Sequence, residues 1–286
     1  MKRLATIATA LVLACADDFQ ARSQLADLRV LAIEASPVEA VAAQPVTLKP
    51  TVFVPSGQTV TRLTWKFCPI SLGAQAGYQC LSPQCEFPLA PALDGSVTAV
   101  PALLAYQCAT ALAESGGETP SGTPGELPDA LETVFKVAIE TDGGLRREAV
   151  QRVKLWAKTA PAATNRAPAL ASVELDGLPL SPGRPAARSI SLDQKTSLRI
   201  QVDPASLDRY VDGNGQEHTE DPVVSLYTTA GSFSGDRTSG TDDAVEWTVE
   251  SKGLAPGVSE AQLYFVVRDL RGGESVSGPY FVTLSR

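Results

Sequence analysis

The chain contains one histidine, His218, and one methionine, Met1, among 286 residues. A single histidine rules out a multi-histidine zinc centre, and any Ser-His-Asp arrangement would depend on that one position. No apolar run reaches the roughly twenty residues a membrane-spanning helix needs. There is no glycine-rich phosphate loop. Gly231-Ser232-Phe233-Ser234-Gly235 has the outline of a nucleophile elbow, but Phe233 stands where the serine is required, so the segment reads as a turn. Basic excess is missing as well: 24 Lys and Arg face 32 Asp and Glu, a net charge of −8. That balance excludes a phosphate-tracking nucleic-acid surface and a polybasic membrane patch. Aromatic residues make up only 6% of the chain, so packed cores must come chiefly from Val, Leu, Ile and Ala. These absences point away from catalysis and leave a non-enzymatic protein as the expectation.

The first eighteen residues hold the most specific signal. Lys2 and Arg3 precede an apolar run over residues 4–13, and Ala14 and Cys15 lead into Asp17 and Asp18. The layout is that of a secretory signal, too short to span a bilayer. Val12-Leu13-Ala14-Cys15 resembles a bacterial lipobox, with Val12 where leucine is usual. The resemblance implies cleavage after residue 14 and lipidation of Cys15 by three acyl chains, palmitate among them. Two or more chains hold a protein stably on a membrane, where one does not. Ala14-Cys15-Ala16 also fits ordinary signal cleavage, which would release a soluble chain beginning at Asp17. Loss of Lys2 and Arg3 with the signal moves the net charge from −8 to −10. The expected address is an exported, membrane-anchored lipoprotein of the outer membrane.

Cys68, Cys80, Cys85 and Cys108 remain after export, and an even set in an oxidising compartment reads as disulfides. Their spacing lacks the paired C-x-x-C of a metal site. Sequence proximity favours Cys68–Cys80 with Cys85–Cys108, among three formal pairings.

Short alternating segments dominate the rest of the chain. Residues 28–33, 46–54 and 60–67 read as strands, the second interrupted by Pro50, which argues for an edge or a bulge there. Leu63, Trp65 and Phe67 share one face of the third, and Pro55-Ser56-Gly57 before it suggests a hairpin. The cysteine-bearing stretch of residues 69–128 breaks this rhythm and holds a helix candidate at 101–115. Strands resume at 135–139 and 149–157, with Leu155 and Trp156 assigned to packing. In the second half, residues 172–175, 197–202, 223–229, 244–249, 261–268 and 280–284 read as strands between Gly, Pro and Asp turns. The expected fold is all-β: two tandem antiparallel β-sandwich domains of immunoglobulin-like type, the first with a Cys-containing insertion and one short helix. The expected division is signal 1–14, lipidated tether 15–26, first sandwich 27–158 with insertion 69–128, linker 159–168 and second sandwich 169–286.

The two halves also end alike: strand, Asp142-Gly143-Gly144, strand in one, and strand, Asp269-Leu270-Arg271-Gly272-Gly273, strand in the other. With the lipobox, Leu28-Arg29-Val30-Leu31-Ala32-Ile33 and Asn165-Arg166-Ala167-Pro168, this pattern resembles the surface lipoproteins of myxobacteria. Those are similar to tandem immunoglobulin-like and cadherin-like domains, so the resemblance implies a fold and an address and no activity. The expected role is structural, adhesive or binding. A carbohydrate-binding surface subunit is the alternative, and an unrecognised hydrolase built on His218 a more distant one. An envelope protein or polysaccharide is the expected partner class.

One metal candidate stands out. Asp212, Asn214 and Glu217 place oxygens along a loop, as calcium would require. As an EF-hand the loop departs twice, with Glu217 where glycine belongs and Val223 where the closing glutamate belongs. A solvated Asn-Gly turn is the competing reading. Trp65, Trp156 and Trp247 lie in strand patterns and are expected in the core.

Overall fold

Alternation in the sequence becomes paired strand in the computed structural model, which describes residues 21–286 apart from 42, 117–125, 160–162, 187–188 and 213. The expected signal, Cys15 and most of the loop before residue 128 lie outside the described residues. The first half forms β1 (Arg29–Ser36), β2 (Glu39–Val41), β3 (Val46–Phe53), β4 (Val60–Cys68), β5 (Phe87–Leu89), β6 (Val97–Ala99), α1 (Pro101–Glu114), β7 (Ala130–Thr141) and β8 (Arg146–Trp156). One sheet runs β1-β3-β6 and the other β2-β8-β7-β4-β5. Ile33, Val46, Leu48 and Val97 of the first meet Trp65, Phe67, Phe135, Ile139 and Leu155 of the second in one apolar core. Trp65 is 1% exposed and donates its indole N–H to the Gly95 carbonyl at 3.0 Å, so its burial leaves no polar group unpaired.

The second half forms β9 (Leu170–Leu175), β10 (Leu178–Pro179), β11 (Ile190–Ser191), β12 (Lys195–Val202), β13 (Arg209–Val211), β14 (Glu217–Thr219), β15 (Val223–Thr228), β16 (Ser232–Phe233), β17 (Arg237–Thr238), β18 (Thr241–Thr248), β19 (Glu260–Arg268) and β20 (Glu274–Ser285). Its sheets run β10-β9-β12-β18-β16 and β11-β20-β19-β15-β17, with β13 and β14 a separate hairpin. Trp247 is 0% exposed within the second core and donates to the Ala230 carbonyl at 3.1 Å.

The two halves share a strand order. In each, a short strand lies parallel to the last strand (β2 on β8, β11 on β20), and the last strand pairs antiparallel with the one before it. That strand meets an earlier one, which ends the sheet on a short strand (β7-β4-β5 and β19-β15-β17). These are two immunoglobulin-like sandwiches in tandem, as the sequence leads one to expect.

Several local expectations are corrected. Pro55-Ser56-Gly57 joins β3 to β4, which lie in different sheets, so it is a crossover and not a hairpin. Pro50 does sit at an edge, as expected, because it lies beyond the part of β3 that β6 covers and β3 has a neighbour on one side only there. The described part of the expected insertion 69–128 also builds the sandwich, since β5 and β6 complete the edges of both sheets and α1 lays Ala102, Ala105 and Ala109 into the main core. Its cysteines pair as Cys68–Cys80 and Cys85–Cys108, which ties β4 to the stretch and the stretch to α1. In the described part of the expected tether, residues 21–26, the chain is docked: Leu25 is buried, its N–H donates to the Thr228 carbonyl at 2.7 Å, and the Thr228 N–H donates to the Ser23 carbonyl at 2.8 Å. An apolar side chain drives this, since Leu25 packs with Phe53, Tyr264 and Val266.

Candidate functional site

The site grows out of how the two sandwiches meet. β1 is an edge strand, with backbone groups that need partners other than a neighbouring strand. Side chains of the second sandwich supply them. Glu274 accepts the Ile33 N–H, Arg268 donates to the Leu31 carbonyl at 2.9 Å, and Glu34 in return accepts the Val276 N–H at 3.2 Å. Arg268 and Glu274 pair with each other at 2.9 Å. Burial pushes the Glu274 carboxyl above its ordinary range, against the opposing pull of the Ile33 N–H and Arg268. Beside these contacts Leu25, Leu31, Ala32 and Phe53 pack on Tyr264 and Val266, with Phe53 and Tyr264 edge-on at 6.4 Å. β2 covers only residues 154–156 of β8, and the turn at 269–273 lies against the strand below that point. There Gln151 donates to the Gly272 carbonyl at 2.9 Å.

That turn is built by Asp269. One carboxylate oxygen accepts the Arg271 and Gly273 N–H groups at 2.7 and 2.9 Å, and the other accepts the buried Asn165 amide at 2.7 Å. Gly273 is required here, because a Cβ would stand 2.9 Å from the Arg166 carbonyl oxygen. Residues 165–166 of the expected linker are therefore docked. Arg166 also grips Asp208 with its backbone N–H and its Nε, both at 2.8 Å.

The turn projects Arg271 toward the β13–β14 hairpin. Its guanidinium pairs with Glu220 at 2.7 Å and lies 4.3 Å over the Tyr210 ring. Tyr210 stacks on His218 at 5.6 Å, and His218 faces Asp212 at 3.1 Å. Glu220 has a fully buried side chain and also accepts the Asp208 N–H at 2.8 Å. Desolvation pushes its carboxyl up, outweighing Arg271 and the Asp208 N–H.

Between this assembly and the first sandwich lies an open cleft of about 640 Å³, within the usual range for small-molecule sites of roughly 300–1,000 Å³. One wall carries Glu39, Lys154 and Trp156; the other carries Tyr210, Arg209 and Glu217, with Arg271 and Thr164 between them. Trp156 is half-buried, donates its indole N–H to Glu39 at 2.8 Å, and holds the Lys154 ammonium 3.9 Å from its ring. The expectation of a core position for Trp156 is overturned. Along β8 the buried positions are Gln151, Val153 and Leu155, so Trp156 falls in phase with Arg152 and Lys154 on the outer face. Strict period-two counting carries that signal. Nothing in the sequence singles out Tyr210, whose place depends on the long-range approach of Arg271.

The other expected site residues are accounted for locally. Asp212 accepts the N–H groups of Asn214 and Gln216 at 2.8 and 2.9 Å, and the latter contact is the main cause holding its carboxyl below the ordinary range. Asn214 and Glu217 are exposed on the same hairpin, and among the described residues no group of three or more His, Cys, Asp or Glu stands together to hold a metal ion. His218 hydrogen-bonds Asp212 and stacks on Tyr210. Phe233 packs against Trp247 at 6.3 Å, so its Gly-Ser segment is structural.

No protein-family model matches this chain, and no curated protein matches it. Among solved structures, the fibronectin(III)-like modules of CbhA from Clostridium thermocellum align at 11% identity over 90% of this chain and 92% of theirs, with a TM-score of 0.26. The D00-D0 domain of intimin aligns at 8% identity over 91% of this chain and 99% of its own, with a TM-score of 0.23. SGBP-B of a Bacteroides ovatus mixed-linkage glucan utilization locus, solved with a mixed-linkage heptasaccharide, aligns at 12% identity over 92% of this chain, with a TM-score of 0.22. This chain spans about half (48%) of that protein's length. At these scores the fold assignment rests on the strand order described above, and the site rests on its own geometry.

Proposed function

We propose that this protein is an exported, lipid-anchored, non-enzymatic binding protein whose working surface is the cleft between its two sandwiches. Cys15 carries the lipid in this reading, and the outer membrane is its address. The role is adhesive or structural, through contact with an envelope or extracellular partner. The observation that carries the reading is the cleft itself, with Trp156 on one sandwich and Tyr210 on the other set across a fixed seam. A half-buried indole whose polar edge is already hydrogen-bonded favours a saccharide as the partner, because the exposed part of the ring offers apolar surface to sugar C–H groups while the charged walls meet its hydroxyls.

One preparation tests both parts. Cys15→Ala is expected to move the chain from the detergent phase to the aqueous phase of a fractionated cell. Added to a polysaccharide fraction of the envelope, that soluble chain is expected to show a shift in tryptophan emission from Trp156, since Trp65 and Trp247 are buried. A wild type already free in buffer sinks the anchor, and unchanged emission sinks the cleft.

A further inference from the structure

The cleft has a charge pattern of its own. The chain as a whole is acidic, with a net charge of −8, so its general field repels polyanions. Within the cleft, however, Lys154, Arg209 and Arg271 converge from both sandwiches. Arg271 is neutralised by Glu220. Lys154 sits over an aromatic ring, Arg209 is exposed, and among the described residues neither has a carboxylate partner. Lys154 lies in register between Glu39 and Glu132 without closing an ion pair with either, so two cations free of a direct carboxylate contact face a space bounded by Trp156 and Tyr210.

The same walls carry acceptors. Glu217 is exposed without a partner among the described residues, and Glu39 spends one oxygen on the Trp156 indole. A bare polyanion would meet these carboxylates unfavourably. A ligand with both hydroxyl donors and a carboxylate would satisfy acceptors and cations together. From this we infer that the cleft takes a carboxylated saccharide segment, of uronic-acid type. The inference rests on the reading of the cleft as a saccharide-binding surface, and it adds the charge class. Lys154 and Arg209 hold the carboxylates and Glu217 accepts from hydroxyls, beside the exposed part of Trp156.

The test is titration calorimetry on the full chain with three probes of equal length: hexagalacturonate, neutral cellohexaose and hexa-L-glutamate. Trp156 emission is the second readout. Hexagalacturonate is expected to bind saturably and to shift Trp156 emission. Lys154→Ala and Arg209→Ala are each expected to weaken it about tenfold, the scale of one charge-assisted contact. Both side chains are exposed, and an unchanged melting temperature confirms that the variants fold. Cellohexaose binding as tightly, with no response to either variant, overturns the charge class and leaves the saccharide reading standing. Hexaglutamate binding as tightly as hexagalacturonate overturns the inference in favour of an acidic peptide or simple charge. No binding by either saccharide overturns the inference and the reading beneath it.

Discussion

Each sandwich carries an excursion, and the two are fastened differently. In the first, residues 69–116 leave β4 and return through β5, β6 and α1, held by Cys68–Cys80 and Cys85–Cys108. Glu86 adds a clip from the same stretch to Lys66 on β4 at 2.7 Å and Lys136 on β7 at 3.5 Å. In the second, residues 204–220 leave β12 and return through the β13–β14 hairpin. That hairpin has no cysteine; charge holds it, through Arg166–Asp208 and Arg271–Glu220. The covalent excursion completes its own sandwich. The ionic one is fastened to the linker and to the turn at 269–273, and it forms a wall of the cleft. Covalent closure thus serves a fold, and charge serves an interface.

Core substitutions should show what the halves have in common. Trp65→Ala and Trp247→Ala are each expected to cost about 3–5 kcal/mol in denaturant unfolding, because each empties a fully buried indole site. Trp156→Ala should cost far less, as it lies on an outer face. Equal losses at all three would break the division between core and cleft.

Reduction should separate the halves. Cys85→Ser with Cys108→Ser is expected to cost about 2–4 kcal/mol by freeing the unfolded chain. Hydrogen exchange should rise over residues 69–116 and their neighbours in β4 and β7, while β15, β19 and β20 keep their protection. Loss of protection spread evenly over both sandwiches would show that the seam couples them into one cooperative unit.

The smallest expected effect is in acid, and its sign differs between the halves. The Glu86 carboxyl is held below its ordinary range, chiefly by the Lys66 hydrogen bond. The stability it contributes is present above the unfolded value near 4.5 and is lost as pH falls through its lower folded value. Glu220 and Glu274 are raised by burial, so theirs is complete below 4.5 and is lost as pH rises through the folded values. Glu86→Gln should flatten the decline of melting temperature in strong acid. Glu220→Gln with Glu274→Gln should flatten the gain on mild acidification from neutral pH. A decline on mild acidification that these two variants abolish would reverse the assignment.

Most of the fold is readable from alternation. β4, β7, β19 and the helix at Pro101–Glu114 fall where polar and apolar residues dictate. The short strands β10, β11, β16 and β17 are not readable, because two residues carry no period and their pairing is decided by a distant partner. Of the cleft, Trp156 was within reach by strict parity along β8. Tyr210 and Arg271 were not, since their proximity exists only after two sandwiches have docked. The disulfide pairing suggested by proximity is the one found, because both bridges close within a single excursion.

The pairing of residues 23–25 with Thr228 has a mechanical consequence. The chain that leads back toward residue 21 departs from the second sandwich, although its next strand, β1, belongs to the first. A pull on that chain first loads the Ser23–Thr228 and Leu25–Thr228 hydrogen bonds, then the apolar seam around Leu25 and Phe53. Anchored through Cys15 as proposed, the molecule would be slung from its waist, and tension would draw on both sandwiches together before it could unravel either from its end.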